Sequence, residues 1–238
     1  MSVTDTLRLV VAPPHSAGYR FIGAGVVVFV VGLFLAAWLA SLGLLFTLFC
    51  LFFFRDPERV PPARAGLAVA PADGRVVAVG EAVPPAELGL GEAPRWRVSI
   101  FLSVLNVHVN RMPVDGTVTR AAYRHGKYFN ASLDKASTDN ERNALAVRLA
   151  DGRDVAVVQI AGLIARRILC DVHEGDVVHS GARFGIIRFG SRTDIYLPPG
   201  IKPAVAVGQT AVGGETVMAY LPVDAADEPA AAALAEAG

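Results

Sequence analysis

The side chains in this sequence best suited to covalent catalysis are a serine, a histidine and an aspartate: Ser191 directly after Gly190, His108 in an apolar stretch, and Asp73 directly before a glycine. A serine hydroxyl is a weak nucleophile until a base takes its proton, and histidine is well suited to do so near neutral pH. A carboxylate can then orient the imidazole ring, as in hydrolytic triads. Gly-Ser and Asp-Gly pairs are also common in turns, so these residues alone do not define an active site.

Composition argues against several other kinds of site. The 238 residues contain 22 Lys and Arg and 22 Asp and Glu, a balance unlike the basic surfaces of nucleic-acid-binding proteins. The two cysteines, Cys50 and Cys170, are expected to be free thiols. Cys170 and His173 together offer only two ligands, fewer than a zinc site requires. We therefore expect no nucleic-acid partner and no metal ion.

A strongly apolar run of 34 residues without formal charge extends from Phe21 to Phe54. Apolar stretches of about 18 residues or more are typical of membrane segments. As one straight helix the run would be about 51 Å long, well beyond the roughly 30 Å of a hydrocarbon core. A secretory signal peptide is the alternative, with cleavage after the small residues Ala36, Ala37 and Ala40. It is weaker, because the run is much longer than a normal h-region and cleavage would leave an apolar N-terminus.

Arginines flank the run on both sides: Arg8 and Arg20 before it, and Arg55, Arg59 and Arg64 after it. Positive charge on both flanks predicts that both lie in the cytoplasm. A helical hairpin satisfies the charges and the length, with a bend near Ser41, Leu42 and Gly43, where small and polar residues interrupt the larger side chains. The predicted organisation therefore begins with a cytoplasmic segment (1–20) and a membrane-embedded hairpin (21–54).

Beyond residue 54 the composition changes to that of a soluble domain. Charged residues and prolines make 55–66 a linker, since they cannot continue a helix. The main domain, 67–222, is predicted to be mainly β (α+β), and its strand-like segments are 75–79, 96–101, 117–123, 144–149 and 155–160. The segment 162–170 fits a short helix or a strand. The Ala-rich and acidic tail, 223–238, is expected to be disordered.

Several separate phrases share the order and spacing of one enzyme family: Pro71-Ala72-Asp73-Gly74, Asn106-Val107-His108-Val109-Asn110-Arg111, Lys135-Ala136-Ser137, Asn140-Glu141-Arg142 and Gly190-Ser191. Together they resemble the phosphatidylserine decarboxylase family, most closely its short bacterial and archaeal branch. The resemblance runs from about Arg55 to Leu221. It implies a membrane-attached enzyme that converts phosphatidylserine to phosphatidylethanolamine.

In that family the serine of the Gly-Ser pair becomes an N-terminal pyruvoyl group, and the match gives this role to Ser191. Its hydroxyl would attack the carbonyl of Gly190, where the missing side chain permits close approach, and exchange the amide for an ester. Elimination would release the upstream chain, and the remaining dehydroalanine would hydrolyse to the ketone and ammonia. The ketone would form a Schiff base with the substrate amine and act as an electron sink. The products, 1–190 and 191–238, are expected to stay associated.

The resemblance also implies roles for other residues. His108 is expected to be the base in cleavage and the acid in decarboxylation, with Asp73 orienting its ring. Longer family members carry a second histidine where this chain has Arg111, so either His108 serves both steps or His125 takes one of them. Four residues are expected near the substrate: His125, Asn130, Glu141 and Arg142.

The expected cofactor is the pyruvoyl group alone. Pyridoxal phosphate needs a lysine, and the three lysines, Lys127, Lys135 and Lys202, lie in no recognisable cofactor motif. The apolar segment agrees with a lipid substrate, so we expect the domain at the cytoplasmic side of the cell membrane. An archaeal-type serine lipid as substrate and a homo-oligomeric state both stay open.

The main alternative is a membrane-tethered carrier or adaptor. Residues 172–178 and 208–221 look like the hammerhead strands of lipoyl and biotinyl domains. Such carriers present a lysine on a hairpin turn, whereas the corresponding turn here has Ser191 and Arg192. The likeness is therefore expected to concern the fold rather than the function.

Overall fold

The computed structural model describes residues 12–126, 140–162, 167–188 and 191–222. The two α-helices are α1 (Tyr19–Leu35) and α2 (Ala37–Phe53). The strands are β1 (Leu67–Val69), β2 (Gly74–Ala82), β3 (Arg95–Leu102), β4 (Val109–Arg111), β5 (Gly116–Arg124), β6 (Arg142–Arg148), β7 (Asp154–Ala161), β8 (Ile168–Cys170), β9 (Val177–Val178), β10 (Arg183–Ile187), β11 (Ser191–Tyr196), β12 (Thr210–Ala211) and β13 (Val217–Tyr220).

The apolar run forms two helices that pack against each other. Helical geometry is interrupted only at Ala36, whose φ of −167° and ψ of 135° are those of an extended chain. A Cβ atom added to Gly32 would collide with the backbone of Ala40, and one added to Gly43 would collide with α1, so both glycines permit close packing. The bend predicted at 41–43 is therefore wrong. Those residues lie inside α2, and the chain turns at Ala36.

Backbone hydrogen bonds join the two ends of the helix pair. The N–H of His15 donates to the carbonyl of Phe54 at 2.7 Å, and the N–H of Asp56 donates to the carbonyl of Pro13 at 2.8 Å. The chain therefore enters and leaves the antiparallel pair at the same end. The helical stretch Ser16–Leu35 is long and apolar enough to cross a membrane by length and composition, while Ala37–Phe53 is shorter.

Eight strands form one antiparallel sheet in the order β12-β2-β3-β11-β7-β6-β5-β9. Ala211 of β12 and Val178 of β9 come from opposite edges yet belong to the same apolar core, so the sheet is curled. A smaller sheet, β4-β10-β8, and the pair β1-β13 complete the domain. The prediction of a mainly β domain is confirmed, and all five predicted segments overlap strands of the large sheet.

The central strand β11 is buried on both faces. Its side chains alternate, because successive residues of a strand point to opposite sides. Ile195 belongs to the core inside the curled sheet, whereas Tyr196 packs on the other face with Leu88 of a short 3-10 helix. Two apolar layers therefore enclose the strand that begins with Ser191.

Two predictions fall partly or wholly outside the described residues. In the segment 162–170, residues 168–170 form β8, and residues 163–166 are not described. The tail predicted to be disordered, 223–238, also lies outside the described ranges.

Candidate active site

Ser191 is the first residue of β11, at one end of the large sheet. It pairs with Leu102, the last residue of β3, and with Ala161, the last residue of β7. Its side chain is fully buried, and its hydroxyl has no hydrogen-bond partner within the described part of the chain. Leaving a buried polar group unpaired costs about 1–3 kcal/mol, so such groups are uncommon. The preceding residue, Gly190, lies outside the described ranges.

Other buried polar groups lie on the same face of the sheet as Ser191. Thr193 shares that face and pairs with Gln159 of β7, whose amide donates to Asn110 of β4 at 2.8 Å. This contact shows that the small sheet covers the Ser191 face. Among described residues, the Thr193 hydroxyl and the Asn110 amide nitrogen also have no hydrogen-bond partner. Unused hydrogen-bonding groups are thus concentrated between β4 and β11.

His108 directly precedes β4 and lies close to the end of β10. Its backbone carbonyl accepts a hydrogen bond from the N–H of Ile187 at 3.3 Å, and Ser191 follows four residues later. The imidazole ring is fully buried and stacks on Phe53 of α2, with 4.2 Å between ring centroids. Neither ring nitrogen has a hydrogen-bond partner in the described ranges, so the ring makes no hydrogen bond to Ser191.

Burial lowers the pKa of His108 to about 4. Backbone groups of Ser103 and Ile187 raise this pKa in part, although they make no hydrogen bond of normal geometry with the ring, and the charge of Arg55 lowers it further. The ring is therefore neutral near pH 7. A neutral imidazole has a free lone pair that can accept a proton.

Asp73 precedes β2, whose first residues pair with the end of β3, so it lies at the same end of the sheet as Ser191. Its carboxylate accepts hydrogen bonds from Arg59 and from the N–H of Gly213, both at 2.8 Å. Burial raises the pKa of Asp73, and the Gly213 N–H and neighbouring arginines offset part of the rise. The expected contact with His108 is absent from the described structure, because neither ring nitrogen has a partner. Asp73 holds the linker instead.

Arg111 occupies the position where longer family members carry a second histidine. Its guanidinium donates to the carbonyls of Gly181 at 2.8 Å and Pro57 at 2.7 Å, and lies 3.4 Å from the Asp56 carboxylate. An arginine stays protonated and has no lone pair to act as a base. Arg111 therefore joins the linker to the β domain and leaves His108 as the buried histidine of the described site.

His125 and Glu141 line an open cleft of about 750 Å³ together with Tyr123. The Tyr123 hydroxyl donates to Glu141, and the Tyr123 ring meets that of His125 edge-on at 5.0 Å. His125 follows β5, which is three strands from β11, or about 14 Å across the sheet. The structure therefore brings His125 and Glu141 together but does not place His125 beside Ser191.

Arg142 lies on the other face of the sheet. It pairs with Ile160, and Ile160 pairs with Arg192. Arg192 is the neighbour of Ser191 in β11, so its side chain points to the face opposite that of Ser191. Arg142 therefore lies on that opposite face as well. Its guanidinium forms an ion pair with Glu87 at 2.7 Å. This position does not support the expected role of Arg142 near the substrate. Asn130 lies outside the described residues.

Comparison with known proteins decides the family. A profile described as phosphatidylserine decarboxylase matches residues 46–219. The chain belongs to the phosphatidylserine decarboxylase family. The phosphatidylserine decarboxylase proenzyme of Granulibacter bethesdensis is 72% identical over 221 residues, covering 93% of this chain and 91% of the relative. The proenzyme of Gluconacetobacter diazotrophicus is 61% identical over 225 residues, covering 93% of this chain and 100% of the relative.

Membership of the phosphatidylserine decarboxylase family confirms the resemblance found in the sequence. It also confirms that the chain is an enzyme, a phosphatidylserine decarboxylase, and argues against the carrier alternative. The matched range contains Asp73, His108 and Ser191. The roles of these residues in this phosphatidylserine decarboxylase stay predictions.

Sequence reasoning gave no role to three residues that the structure places around the site. Gln159 is the one polar residue in the stretch from Val155 to Ala161 of β7, and that signal was visible in the sequence. Phe53 stacks on His108 from a distant part of the chain, a contact that no local pattern indicates. Arg188, just after β10, is a buried arginine three residues before Ser191.

Proposed function

We propose that this phosphatidylserine decarboxylase cuts its own chain between Gly190 and Ser191 and uses the resulting pyruvoyl group to convert phosphatidylserine to phosphatidylethanolamine. The state of Ser191 carries the proposal. This serine follows a glycine, begins the central strand, and is fully buried with a hydroxyl that has no partner in the described residues. Because a buried hydroxyl normally contributes through a hydrogen bond, an unpaired one fits a reactive role better than a structural one.

His108 is the proposed base for self-cleavage. Its neutral ring can take the proton of the Ser191 hydroxyl as the oxygen attacks the carbonyl carbon of Gly190. The C–O bond forms, the Gly190–Ser191 C–N bond breaks, and the amine of Ser191 leaves with a proton. A proton on His108 is then given up readily, since the pKa of this ring is about 4. The same residue is proposed for the acid role in decarboxylation, in which its ring first takes up a proton and then gives it to the α-carbon of the substrate.

A pyruvoyl ketone supplies the electron sink that loss of carbon dioxide requires, without metal or pyridoxal phosphate. Two groups on the Ser191 face have unused hydrogen-bonding capacity among described residues, the Thr193 hydroxyl and the Asn110 amide nitrogen. They are the residues proposed to hold this group. Both cleavage products should stay together, because β11 of the second fragment pairs on each side with a strand of the first, β3 and β7.

We further propose that α1 and α2 lie in the cell membrane as a hairpin, with both ends at the cytoplasmic face. Large apolar side chains are exposed on the helices, among them Val27, Leu33, Phe34, Leu35, Trp38 and Leu45. An exposed apolar surface of this extent is typical of a membrane contact. Each 17-residue helix is about 25 Å long, which fits a hairpin within the bilayer better than two full crossings. The β domain would then lie at the surface where lipid head groups are found.

Two finer points belong to the same proposal. Residues 172–178 and 208–221 are proposed to resemble hammerhead strands in fold but not in function, because the family is one of decarboxylases. An archaeal-type serine lipid stays an alternative substrate. Assays with the two glycerol stereoisomers of the lipid distinguish the two substrates.

Intact-mass spectrometry tests self-cleavage directly. The wild-type protein should give a fragment 1–190 and an N-terminally blocked fragment 191–238, and it should produce phosphatidylethanolamine in the presence of a chelator and without pyridoxal phosphate. Ser191→Ala should stay one inactive chain, because alanine has no nucleophile, while Ser191→Cys should still cut slowly. A wild-type chain of full mass that nevertheless decarboxylates the lipid contradicts the proposal.

A further inference from the structure

Three arginines lie close enough for their charges to interact: Arg20 in the first turn of α1, Arg167 just before β8, and Arg188 just after β10. The N–H of Arg188 donates to the carbonyl of Arg167 at 3.4 Å. The guanidinium carbons of Arg20 and Arg188 lie 5.5 Å and 5.7 Å from the centre of the same ring, that of Phe21. We call the three arginines the basic cluster.

Within the described ranges, none of the three arginines of the basic cluster forms an ion pair. Arg188 is only 8% exposed, yet it has no ion pair and no side-chain hydrogen bond within the described ranges. The other buried arginines each face a carboxylate: Arg111 with Asp56, Arg142 with Glu87 and Arg192 with Asp194. Burial and the charges of Arg20 and Arg167 lower the pKa of Arg188. A buried cation beside two like charges is unfavourable unless an anion joins them.

A row of aromatic rings connects the basic cluster with His108. Phe21 stacks on Phe54 at 5.5 Å, Phe54 meets Phe53 edge-on at 5.0 Å, and Phe53 stacks on His108 at 4.2 Å. The cluster therefore borders both the apolar end of the helix pair and the proposed active site. An amphipathic ligand with an anionic head and an apolar body matches these surroundings.

We propose that the basic cluster binds the phosphodiester of the phospholipid substrate, an inference that rests on the proposed function. Guanidinium groups match phosphate oxygens in charge and geometry. In phosphatidylserine a single CH₂–O link joins the phosphorus to the amine-bearing carbon, and Arg188 is three residues from Ser191, where that amine reacts.

The substrate carboxylate is a poorer match for the cluster. Its negative charge is lost as carbon dioxide leaves, so an ion pair with arginine would stabilise the ground state more than the transition state and slow the reaction. The phosphodiester keeps its charge throughout. Binding the phosphodiester therefore holds the head group in place without slowing the loss of carbon dioxide.

Kinetics in mixed micelles test this assignment, after the extent of self-cleavage of each variant has been measured by mass. Arg20→Gln, Arg167→Gln and Arg188→Gln should each raise the KM for phosphatidylserine, by about tenfold for the buried Arg188, with kcat changed much less. Arg64→Gln removes the same charge from an exposed linker position and should leave the KM unchanged. If Arg188→Gln is not cleaved, the KM values of Arg20→Gln and Arg167→Gln test the assignment instead.

Inhibition distinguishes a lipid from a free anion. Phosphatidylglycerol in the micelles should compete with the substrate in the wild type and compete less in Arg188→Gln or Arg167→Gln, whereas inorganic phosphate at the same concentration should not compete. Equal competition by inorganic phosphate, unchanged KM values, or a loss confined to kcat would each overturn the assignment. If the wild type makes no phosphatidylethanolamine, the proposed function fails, and flotation of the variants with phosphatidylglycerol vesicles still tests the cluster.

Discussion

Burial of His108 gives the ring the protonation state that a base requires. A solvated histidine is half protonated at about pH 6.5, whereas the buried ring beside Phe53 has a pKa of about 4. Its neutral form therefore persists in mildly acidic solution. The charge of Arg55 acts in the same direction.

Self-cleavage should accordingly keep most of its rate from about pH 8 down to about pH 5.5 and decline as the pH approaches 4. The fraction of cut chain over time, measured by mass, gives the profile. His108→Gln should slow cutting by about 100-fold or more, since amide nitrogen cannot accept the proton. A midpoint near pH 6.5 would show that the base is a solvated histidine instead.

Acid also lowers the stability that the neutral His108 ring contributes. The unfolded chain binds a proton at His108 below about pH 6.5, whereas the folded chain does so only near pH 4, so the contribution of His108 to the free energy of unfolding falls as the pH drops through this window. Denaturant unfolding of the uncut Ser191→Ala protein at each pH separates lost stability from lost chemistry. The fall should be smaller in Ser191→Ala/His108→Gln, and an equal fall in the two proteins contradicts the buried neutral ring.

At the residue scale the sequence could predict the residues whose types carry chemistry, but not their contacts. Ser191 and His108 stand in phrases typical of the family. The structure puts Ser191 at one end of the large sheet and bonds the backbone of His108 to Ile187, four residues before Ser191. The partner expected for His108 was Asp73, which binds Arg59 and Gly213 instead. Side-chain pairing depends on how distant segments pack, and short phrases do not contain that information.

The end of α2 connects the membrane segment to the proposed active site. Cys50, Phe53 and Phe54 of this end pack in one apolar cluster with Val107 and Val109, the neighbours of His108. The helix pair therefore does more than attach the domain to lipid. It also forms part of the wall against which the imidazole ring is held.

Replacing the ring that stacks on His108 should therefore weaken catalysis. Phe53→Leu keeps apolar volume but removes the aromatic face, so both self-cleavage and kcat should fall by up to about tenfold, and the pH midpoint of cleavage should rise toward 6.5. Phe34→Ala, on the exposed surface of α1, is the control and should change neither rate nor midpoint. An unshifted midpoint in Phe53→Leu would show that Phe53 packs against His108 without affecting its pKa.

The position of the helix bend shows why an element boundary was mispredicted. Ser41, Leu42 and Gly43 read as an interruption because small and polar residues are common in turns. Gly43 instead lies where α2 meets the backbone of α1, and the Ser41 hydroxyl bonds the carbonyl of Ala37 within the helix. A small residue has the same signature in a turn and in a tight helix contact, and only packing distinguishes them.

At the scale of the whole molecule, three parts meet around one end of the large sheet: the helix pair, the linker and the β domain. The linker is fixed to the β domain by Arg59–Asp73 at 2.8 Å and by Arg183–Asp56 at 2.6 Å. The mainly β class and the strand segments could be predicted because alternating apolar residues and turns are local signals. The arrangement of the three parts could not, because contacts such as Arg183–Asp56 join residues 127 positions apart, and no local pattern indicates them.

The topology of the helix pair leads to a prediction for the intact protein. Since Pro13 and Asp56 are hydrogen-bonded across its base, both flanks must lie on the same side of any membrane that holds the pair. Single cysteines at Ser2 and Ala63, in a background with Cys50 and Cys170 replaced by alanine, should react with an impermeant reagent in inside-out vesicles and not in right-side-out vesicles. A cysteine at Ala36, where the chain turns, should be protected in both until detergent is added. Labelling of positions 2 and 63 from opposite sides would show that the run crosses the membrane once, and the hairpin arrangement would then be wrong.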